Sequence, residues 1–330
     1  MPTLKFKPLR LKKIAITTGD PSGVGFEVSA KALSLLNPQK HTIFFLFRDH
    51  DQEKKQSRYF KLIDTKWTRI TFFSLDVALD FVNSIEKTGQ IEASYLIDLS
   101  LRITAADWVV TAAKACLEKK LDGLVTGPLS KTLVVSSGFK ELGHTGLFRS
   151  LCPKAPLHMA FIGKDFNVLL VTDHIPFSKI ETSITKKSLS AAFANAKKLR
   201  SLLKTKKNIA VLGLNPHAGE SGLMGAFEKK FLTALPPSFN GPLVPDAAFL
   251  KPNWSKYSLF VALYHDQGLI PFKMHHGQDS GVHVTMGLPF VRTSVDHGTA
   301  FDIFNKNLAN PKSMVEAIDL NLKMQSITLK

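Results

Sequence analysis

Three histidines each follow an apolar run of the sequence, close to the point where the run ends. The histidines are His174, His217 and His265, and the runs before them span 168–172, 208–214 and 258–264. Each run has the composition of a buried strand, and in a parallel sheet the carboxyl ends of such strands meet at one edge. A single histidine at a strand end is usually a structural hydrogen-bonding residue. Three in equivalent places favour a catalytic divalent metal such as zinc or cobalt.

Cationic and hydroxyl side chains accompany these runs and suit an anionic substrate. They are Lys273, Arg292, Thr293 and the pair His144-Thr145. The planar guanidinium of an arginine can hold a phosphate or a carboxylate through two parallel hydrogen bonds. Taken alone, His144 is expected to be a capping or surface residue. A metal with an anion clamp suits hydrolysis, phosphoryl transfer or oxidation of a hydroxy acid, and the residue types leave this choice open.

A glycine-rich segment, Gly19–Gly25, lies between a predicted strand at 14–18 and a predicted helix at about 27–36. Glycines in such a place can let backbone N–H groups approach an anion. The spacing is neither GxGxxG nor that of a P-loop, so a tight structural turn is an equally good interpretation. Lys131 follows the next glycine-containing turn, where it either reaches a phosphate or, as residue statistics favour, is exposed.

Strand and helix patterns alternate along almost the whole chain, which predicts a largely parallel sheet covered by helices. The helices include 105–120 and 185–204, each with an apolar stripe at helical spacing. Residues 48–66 are polar and charged and are predicted to be surface structure without chemistry. At 330 residues and 44% hydrophobic content, the chain can form two domains or one large α/β domain.

The formal net charge of +16 would favour anionic partners. The excess is mostly lysine on predicted solvated helix faces, without interleaved aromatic residues, so no nucleic-acid partner is expected. Cys116 and Cys152 form no CxxC pattern, and Cys116 is predicted to be a reduced core thiol. No apolar run approaches the ~18 residues that a membrane span needs. These features predict a cytoplasmic protein without a membrane partner.

Six motifs resemble those of the 4-hydroxythreonine-4-phosphate dehydrogenase family of pyridoxal phosphate biosynthesis. They occur in order from about residue 14 to the C-terminus, at 19–25, 125–128, 143–145, 215–220, 264–268 and 287–300. The last two, which contain Tyr-His-Asp-Gln-Gly and Arg-Thr-Ser-Val-Asp-His-Gly-Thr, are highly specific. Residues 48–100 carry no matching motif.

The resemblance implies a fold like that of the isocitrate and isopropylmalate dehydrogenases, with two α/β/α domains around a cleft. The expected boundaries are 1–133 plus 285–330 for the first domain, which carries a dinucleotide loop. The second domain is expected at 134–284 and carries metal and substrate groups. The resemblance also implies a homodimer whose active site lies at the dimer interface and draws residues from both subunits.

The family's functional positions fall on residues of this chain as follows. The metal is assigned to His174, His217 and His265. Substrate contacts are assigned to His144, Thr145, Lys273, His283 and Arg292. The dinucleotide loop is assigned to His297, Gly298 and Thr299, followed by Asn310, and its presence explains why no GxGxxG is needed. At position 283 the family pattern has asparagine. Because a histidine side chain ordinarily has a pKa of about 6.5, His283 is expected either to make KM depend on pH or to be a tolerated polar exchange.

The implied reaction is oxidation of the C3 hydroxyl of 4-phosphooxy-L-threonine by NAD or NADP, with loss of CO₂ to give 3-amino-2-oxopropyl phosphate. A zinc, magnesium or cobalt ion would polarise the hydroxyl oxygen. Lys273 is a candidate for proton transfer or charge stabilisation, and Asp246 is a second candidate. The alternatives are a sister dehydrogenase acting on threonate or erythronate 4-phosphate, a phosphate-acyl transferase of related fold, and a nucleic-acid binder suggested by charge alone.

Overall fold

A computed structural model of the chain describes residues 10–39, 41–88, 93–140, 143–277 and 280–328. The chain forms two compact α/β units. The first contains Met1–Pro153 and Pro289–Gln325, and the second contains Lys154–Leu288 and Ser326–Lys330. The sequence-based domain boundaries, 133/134 and 284/285, differ from these divisions and stay a prediction.

The strands of the described residues are short and mostly buried. They are β1 Lys12–Thr17, β2 Thr42–Asp49, β3 Thr68–Phe72, β4 Tyr95–Leu101, β5 Gly123–Thr126, β6 His158–Ile162, β7 Asn167–Leu170, β8 Ile209–Leu212, β9 Phe239–Leu243, β10 Leu259–Ala262, β11 Val282–Met286 and β12 Val291–Val295.

The helices range from single turns to four or five turns. They are α1 Gly25–Leu35, α2 Gln52–Lys55, α3 Ser57–Asp64, α4 Leu75–Thr88, α5 Ala105–Leu117, α6 Lys131–Ser136, α7 Gly143–Leu151, α8 Ile180–Ser183, α9 Lys186–Leu202, α10 Phe227–Phe231, α11 Pro245–Ala248, α12 Lys251–Lys256, α13 His265–His276 and α14 Lys312–Thr328. Short 3₁₀ segments span Phe177–Lys179, Pro216–Gly222 and Phe301–Ile303.

The sheet of the first unit has the strand order β3-β4-β2-β1-β5-β12. All of its described neighbours pair in parallel. The inner strands β1, β2 and β5 are almost wholly buried and rich in Ile, Val, Leu and Phe, as strands covered on both faces must be. Their carboxyl ends therefore share one edge, as the sequence predicted.

The sheet of the second unit has the order β11-β6-β7-β10-β8-β9. Strands β7, β10, β8 and β9 pair in parallel, whereas β6 is antiparallel to both β7 and β11. Since β6 alone is reversed among the described strands of this unit, β11 runs in the same direction as β7. The prediction of a largely parallel sheet is confirmed, with β6 as the exception.

Both predicted long helices begin at side-chain caps. Thr104 caps α5 with Asp107 as the reciprocal partner, and Thr185 caps α9 with Ser188 in the same role. Each pair satisfies backbone N–H groups that have no acceptor within the helix. The predictions of helices at 105–120 and 185–204 are confirmed to within a few residues at each end.

The prediction that residues 48–66 are surface structure was wrong in part. The Arg48 side chain is fully buried and forms a two-bond ion pair with Asp98, with Nε–Oδ1 at 2.7 Å and Nη2–Oδ2 at 2.8 Å. Tyr59, Phe60 and Ile63 on α3 are also buried. A charged residue in a polar stretch can be internal when its partner lies on a neighbouring strand, here 50 residues further along the chain.

Two further expectations concern cysteines and membrane spans. Cys116 is buried and Cys152 half-buried, and neither forms a disulfide. Burial raises the pKa of the Cys116 thiol, which keeps it protonated and unreactive. Across the part of the chain that the structure describes, no helix combines the length and apolar character needed to cross a bilayer.

Candidate active site

The glycine-rich segment forms a tight turn that interlocks with the turn after β5. Gly19 has φ +83°, and a Cβ there would lie 2.1 Å from the carbonyl oxygen of Pro128. The Asp20 N–H donates to that oxygen at 2.9 Å, and Asp20 Oδ2 accepts from Ser130 Oγ at 2.7 Å. The interpretation as a structural turn is supported. Lys131, which follows Ser130, is exposed.

This turn also packs against the loop predicted to bind the dinucleotide. The Val24 N–H donates to the Thr299 carbonyl oxygen at 2.9 Å, and a Cβ at Gly23 would lie 2.7 Å from the same oxygen. His297 Nδ1 is 2.9 Å from the Gly298 carbonyl oxygen, so this nitrogen carries the proton. His297 Nε2 is enclosed and has no hydrogen-bond partner among the described residues. His297 Nε2 is therefore an unprotonated nitrogen that can accept a hydrogen bond from a ligand.

The last member of the predicted cofactor set is a helix cap. Asn310 is exposed, and its Oδ1 accepts from the Lys312 N–H at 3.0 Å, at the start of α14. An asparagine at this position accepts from a backbone N–H that has no partner within the helix. Its role in cofactor binding stays a prediction.

Arg292 lies on β12 with 1% of its surface exposed. Its Nη2 donates to Thr126 Oγ1 at the end of β5, and its guanidinium lies 5.3 Å from the centre of the Phe148 ring. Burial lowers the pKa of Arg292 to about 9, so the side chain is still cationic at neutral pH. A buried cation is costly to solvate and favours an anionic ligand.

His144 lies in the first turn of α7 and is electrostatically coupled to Arg292. It is half-buried, and its Nε2 is closed to solvent without a hydrogen-bond partner among the described residues. Burial, and then the positive charge of Arg292, hold the pKa of His144 well below its usual value, so the imidazole is neutral at pH 7. Thr145 follows it and is also half-buried. A phosphate here would satisfy the guanidinium and the imidazole together.

We expect an anion at Arg292 to raise the pKa of His144. The anion cancels the positive charge that lowers this pKa, so binding should be accompanied by proton uptake. Without an anion, the His144 contribution to stability is fully present above the unfolded pKa of about 6.5 and is lost as pH falls toward the lowered folded value. NMR titration of histidine side chains, with and without inorganic phosphate, measures both values.

The His144→Gln variant assigns the His144 resonance in that titration. An ordinary pKa of about 6.5 in the phosphate-free protein would contradict the predicted coupling to Arg292. So would a pKa that phosphate leaves unchanged.

The three predicted metal histidines follow three adjacent parallel strands, β7, β10 and β8. The rings of His174 and His265 lie 4.8 Å apart, centre to centre. His265 Nδ1 is 2.7 Å from Asp266 Oδ1, and His217 Nδ1 is 3.1 Å from Glu220 Oε2. A carboxylate on Nδ1 orients the ring and leaves Nε2 as the ligand atom, as in many histidine metal sites. This donor chemistry fits a divalent ion of the zinc or cobalt class.

Within the second unit the three histidines do not form a closed set. Among the described residues, the set of three potential ligands whose atoms lie within 4.8 Å of one another is Asp165, His275 and His276. The His217 side chain is 59% exposed and turns toward Glu220. The assignment of a metal to His174, His217 and His265 thus stays a prediction that draws on strand placement and donor chemistry.

Glu228, a residue that sequence reasoning missed, positions the segment that carries His217. Residues 217–221 have φ between 41° and 80°, which costs a non-glycine residue roughly 1–2 kcal/mol. Glu228 is 6% exposed, and its Oε1 accepts from the N–H groups of Leu214 and Asn215, both at 2.8 Å. These bonds hold the entrance to the strained turn. No sequence pattern distinguishes Glu228 from a solvated helix glutamate.

Gln267 ties together the strand ends that precede two of the histidines. Its Oε1 accepts from the Leu263 N–H after β10, and its Nε2 donates to the Gly213 carbonyl after β8, both at 2.7 Å. The motif that contains His265 therefore also contains the residue that fixes the spacing of the two strands. This role was not predicted.

The other predicted substrate residues of the second unit lie elsewhere on its sheet. His283 is buried on β11 and stacks on Phe161, with ring centres 5.0 Å apart and planes at 15°. In the strand register, His283 pairs with Phe161 on β6, and Phe161 pairs with Val168 near the start of β7. Lys273 is exposed, near the end of α13 remote from His265. Hence His283 and Lys273 lie toward the edge opposite to the predicted metal histidines.

Asp246, the second candidate for proton transfer, lies on the short helix α11. It is exposed, and the helix begins with Pro245. Among the described residues, no hydrogen bond joins Asp246 to another residue of the candidate site. Its role in proton transfer stays a prediction.

The two α/β units have a fold that is found among the α/β dehydrogenases. A β-decarboxylating dehydrogenase from Thermococcus kodakarensis has a similar fold, with a TM-score of 0.51 over 97% of this chain and 89% of that chain at 11% identity. The predicted fold class, that of the isocitrate and isopropylmalate dehydrogenases, is confirmed.

Residues 66–321 match the family described as pyridoxal phosphate biosynthetic protein PdxA, and the chain belongs to this family. A 4-hydroxythreonine-4-phosphate dehydrogenase from Sulfurihydrogenibium sp. (strain YO3AOP1) is 32% identical over 335 residues, covering 96% of this chain and 99% of that protein. The solved structure of a putative enzyme of the same name from Salmonella typhimurium has a TM-score of 0.74 at 30% identity, covering 96% of this chain and 99% of that chain. The sequence-based recognition of the family is confirmed, and the chain is an oxidoreductase.

Proposed function

We propose that this chain oxidises 4-phosphooxy-L-threonine at its C3 hydroxyl with NAD or NADP and releases CO₂, giving 3-amino-2-oxopropyl phosphate for pyridoxal phosphate biosynthesis. The observation that carries the proposal is its similarity, over nearly the full length of both chains, to proteins named 4-hydroxythreonine-4-phosphate dehydrogenase. The buried cation of Arg292 beside the neutral His144 supports a phosphorylated substrate.

The chemistry balances as an oxidation followed by a decarboxylation. C3 loses a hydride to the nicotinamide ring, and its hydroxyl loses a proton. The β-keto acid so formed loses CO₂ and takes up a proton at the carbon that carried the carboxylate. Arg292, His144 and Thr145 would hold and orient the phosphorylated substrate, and Lys273 would hold or move the proton.

The proposed dinucleotide and metal sites use two separate sets of residues. His297, Gly298, Thr299 and Asn310 would contact the dinucleotide, and the enclosed Nε2 of His297 supports a ligand at this loop. His174, His217 and His265 would hold a zinc, cobalt or magnesium ion, of which the nitrogen donors favour the first two. When bound, the ion would act as a Lewis acid on the hydroxyl oxygen.

We also propose a homodimer in which each active site uses residues of both copies. His283 and Lys273 lie at one edge of the second unit's sheet, and His174 and His265 lie at the other. Along α13 alone, His265 and Lys273 are eight residues apart, which is roughly 12 Å of helix. One copy of this unit therefore holds the two sets apart, which supports an active site that also uses residues of a second copy. The cytoplasmic location stays a prediction.

The activity is tested by NADH or NADPH formation with a panel of 4-phosphorylated hydroxy acids. We expect the highest kcat/KM with 4-phosphooxy-L-threonine and one CO₂ released per reduced dinucleotide. A higher kcat/KM with threonate or erythronate 4-phosphate would favour the sister dehydrogenase. If no member of the panel reduced either dinucleotide, the proposed reaction would be wrong.

Removal of the metal should strongly lower kcat. Lewis-acid stabilisation supplies several kcal/mol, so the chelated and dialysed protein should lose at least about 100-fold in kcat. Zinc or cobalt should restore it. The His217→Ala variant should show the same loss and no restoration, whereas the exposed Asp80→Asn variant on α4 should behave as wild type. Full activity in protein shown to be metal-free by elemental analysis would contradict the metal assignment.

A further inference from the structure

Asp165, His275 and His276 lie together at the amino edge of the second unit's sheet. Asp165 is in the turn between β6 and β7, and the two histidines end α13, remote from His265 at its start. Their potential ligand atoms all lie within 4.8 Å of one another. We propose that these three side chains form a second metal site, distinct from the strand-end histidines, which binds a divalent ion of the zinc class.

His276 is held in the tautomer that a metal needs. Its Nδ1 is 3.1 Å from the Phe272 carbonyl oxygen, which can only accept, so Nδ1 carries the proton and Nε2 keeps a lone pair. That lone pair accepts from the Asp165 N–H at 3.3 Å, a long bond that a metal can replace. A backbone carbonyl on the second ring nitrogen is the usual partner of a metal-ligating histidine.

The chain is shaped to let this ring approach the β6–β7 turn. A Cβ at Gly163 would lie 2.5 Å from His276 Nε2, so glycine leaves room for the imidazole in its present position. The ring centres of Trp254 and His275 are 4.2 Å apart, and those of Phe166 and His276 are 4.8 Å apart. These aromatic side chains cover part of the cluster, whereas the Asp165 and His275 side chains remain partly exposed to solvent.

Small side-chain rotations would open the cluster to metal-binding distances. Asp165 Oδ2 and His275 Nε2 are 2.7 Å apart, whereas two ligand atoms on one tetrahedral zinc are about 3.3 Å apart. The Asp165 and His275 side chains are 44% and 34% exposed, so both have room to rotate. Two nitrogens and one carboxylate oxygen favour zinc, cobalt or nickel over magnesium and calcium, which prefer oxygen ligands.

Two lysines act against the site. Lys164 precedes Asp165, and Lys273 is two residues before His275 on α13. Their positive charges weaken the attraction of a dication, although both lysines are exposed, so solvent screens their charges. The competing interpretation is an ion pair between His275 and Asp165 without a metal. The two differ in whether a metal binds beside Trp254.

Fluorescence of the full-length, metal-free protein during titration with Co²⁺ separates these interpretations. The test needs no turnover, so it does not depend on the proposed activity. A paramagnetic ion held by His275 would quench the adjacent Trp254, whereas diamagnetic Zn²⁺ would compete for the site without such quenching. The other two tryptophans, Trp67 and Trp108, are buried in the first unit. Trp254→Phe identifies the quenched component.

We expect saturable quenching in wild type and in the exposed control Asp80→Asn, with prior Zn²⁺ preventing it. Loss of one ligand in Asp165→Asn or His276→Gln should raise the Co²⁺ concentration needed for half-quenching at least about tenfold. Equal quenching in all four proteins, or quenching that persists in Trp254→Phe, would overturn the site. Absence of saturable quenching in folded wild type would leave an ion pair only and would likewise overturn it.

Discussion

Arg292→Ala should lower kcat/KM for the phosphorylated substrate by roughly 30- to 4,000-fold. Loss of one charged partner of a buried anion costs about 2–5 kcal/mol, and each 1.4 kcal/mol is a factor of ten. Arg292 is fully buried and coupled to His144, so no solvent layer weakens its interaction with an anion. Steady-state kinetics of the variant and of wild type measure the loss.

Whether Arg292→Ala changes mainly KM or also kcat shows which anionic group of the substrate Arg292 binds. A phosphate does not change its charge during the reaction, so its loss of binding should appear mainly as a raised KM. If Arg292 instead contacts the reacting carboxylate, kcat should fall as well. Arg149→Ala, at an exposed position on α7, is the matched control and should retain wild-type kinetics. An unchanged kcat/KM in a folded Arg292→Ala protein would exclude Arg292 from the substrate site.

Asp98→Ala should destabilise the first unit by about 3–5 kcal/mol, because it leaves the Arg48 guanidinium buried without its carboxylate. Asp98 and Arg48 are both fully buried, and Asp98 Oδ2 also accepts from Arg69 Nη1 at 3.0 Å and Thr71 Oγ1 at 3.0 Å. The loss is a large share of the 5–15 kcal/mol typical of a domain. For a unit of this size, Tm should fall by roughly 6–20 °C in calorimetry.

Two further variants test the cause of that loss. Glu53→Gln removes the carboxylate on the exposed side of Arg48, at 3.3 Å and 55% exposed, and should cost less than about 1 kcal/mol. The double variant Arg48→Met/Asp98→Leu removes both buried charges together and should regain part of the stability, since Arg69 keeps Asp64 as a partner but Thr71 loses its acceptor. Equal losses in Asp98→Ala and Glu53→Gln would contradict the importance of burial.

The sequence by itself was sufficient for the local elements and for the family. Strands and helices follow from the apolar period and from caps such as Thr104 and Thr185, which act within a few residues of their position. The sequence also predicted that the three histidines follow strands, since the end of an apolar run is visible in the local sequence. The same holds for the turn at Gly19–Gly25, whose glycines and proline mark a backbone that must bend sharply.

The tertiary structure alone decided which distant residues meet. The pair Arg48–Asp98 joins two strands across 50 residues, so a stretch that looks solvated is internal. Glu228 holds the turn of His217 by accepting backbone N–H groups, and such bonds carry no residue signature. The motifs marked His283 as a site residue without showing its edge of the sheet. The direction of β6 and the register of β11 place His283 toward the edge opposite to His265. The sequence could not predict this, because the direction and register of strand pairing depend on contacts between strands that are distant in the chain.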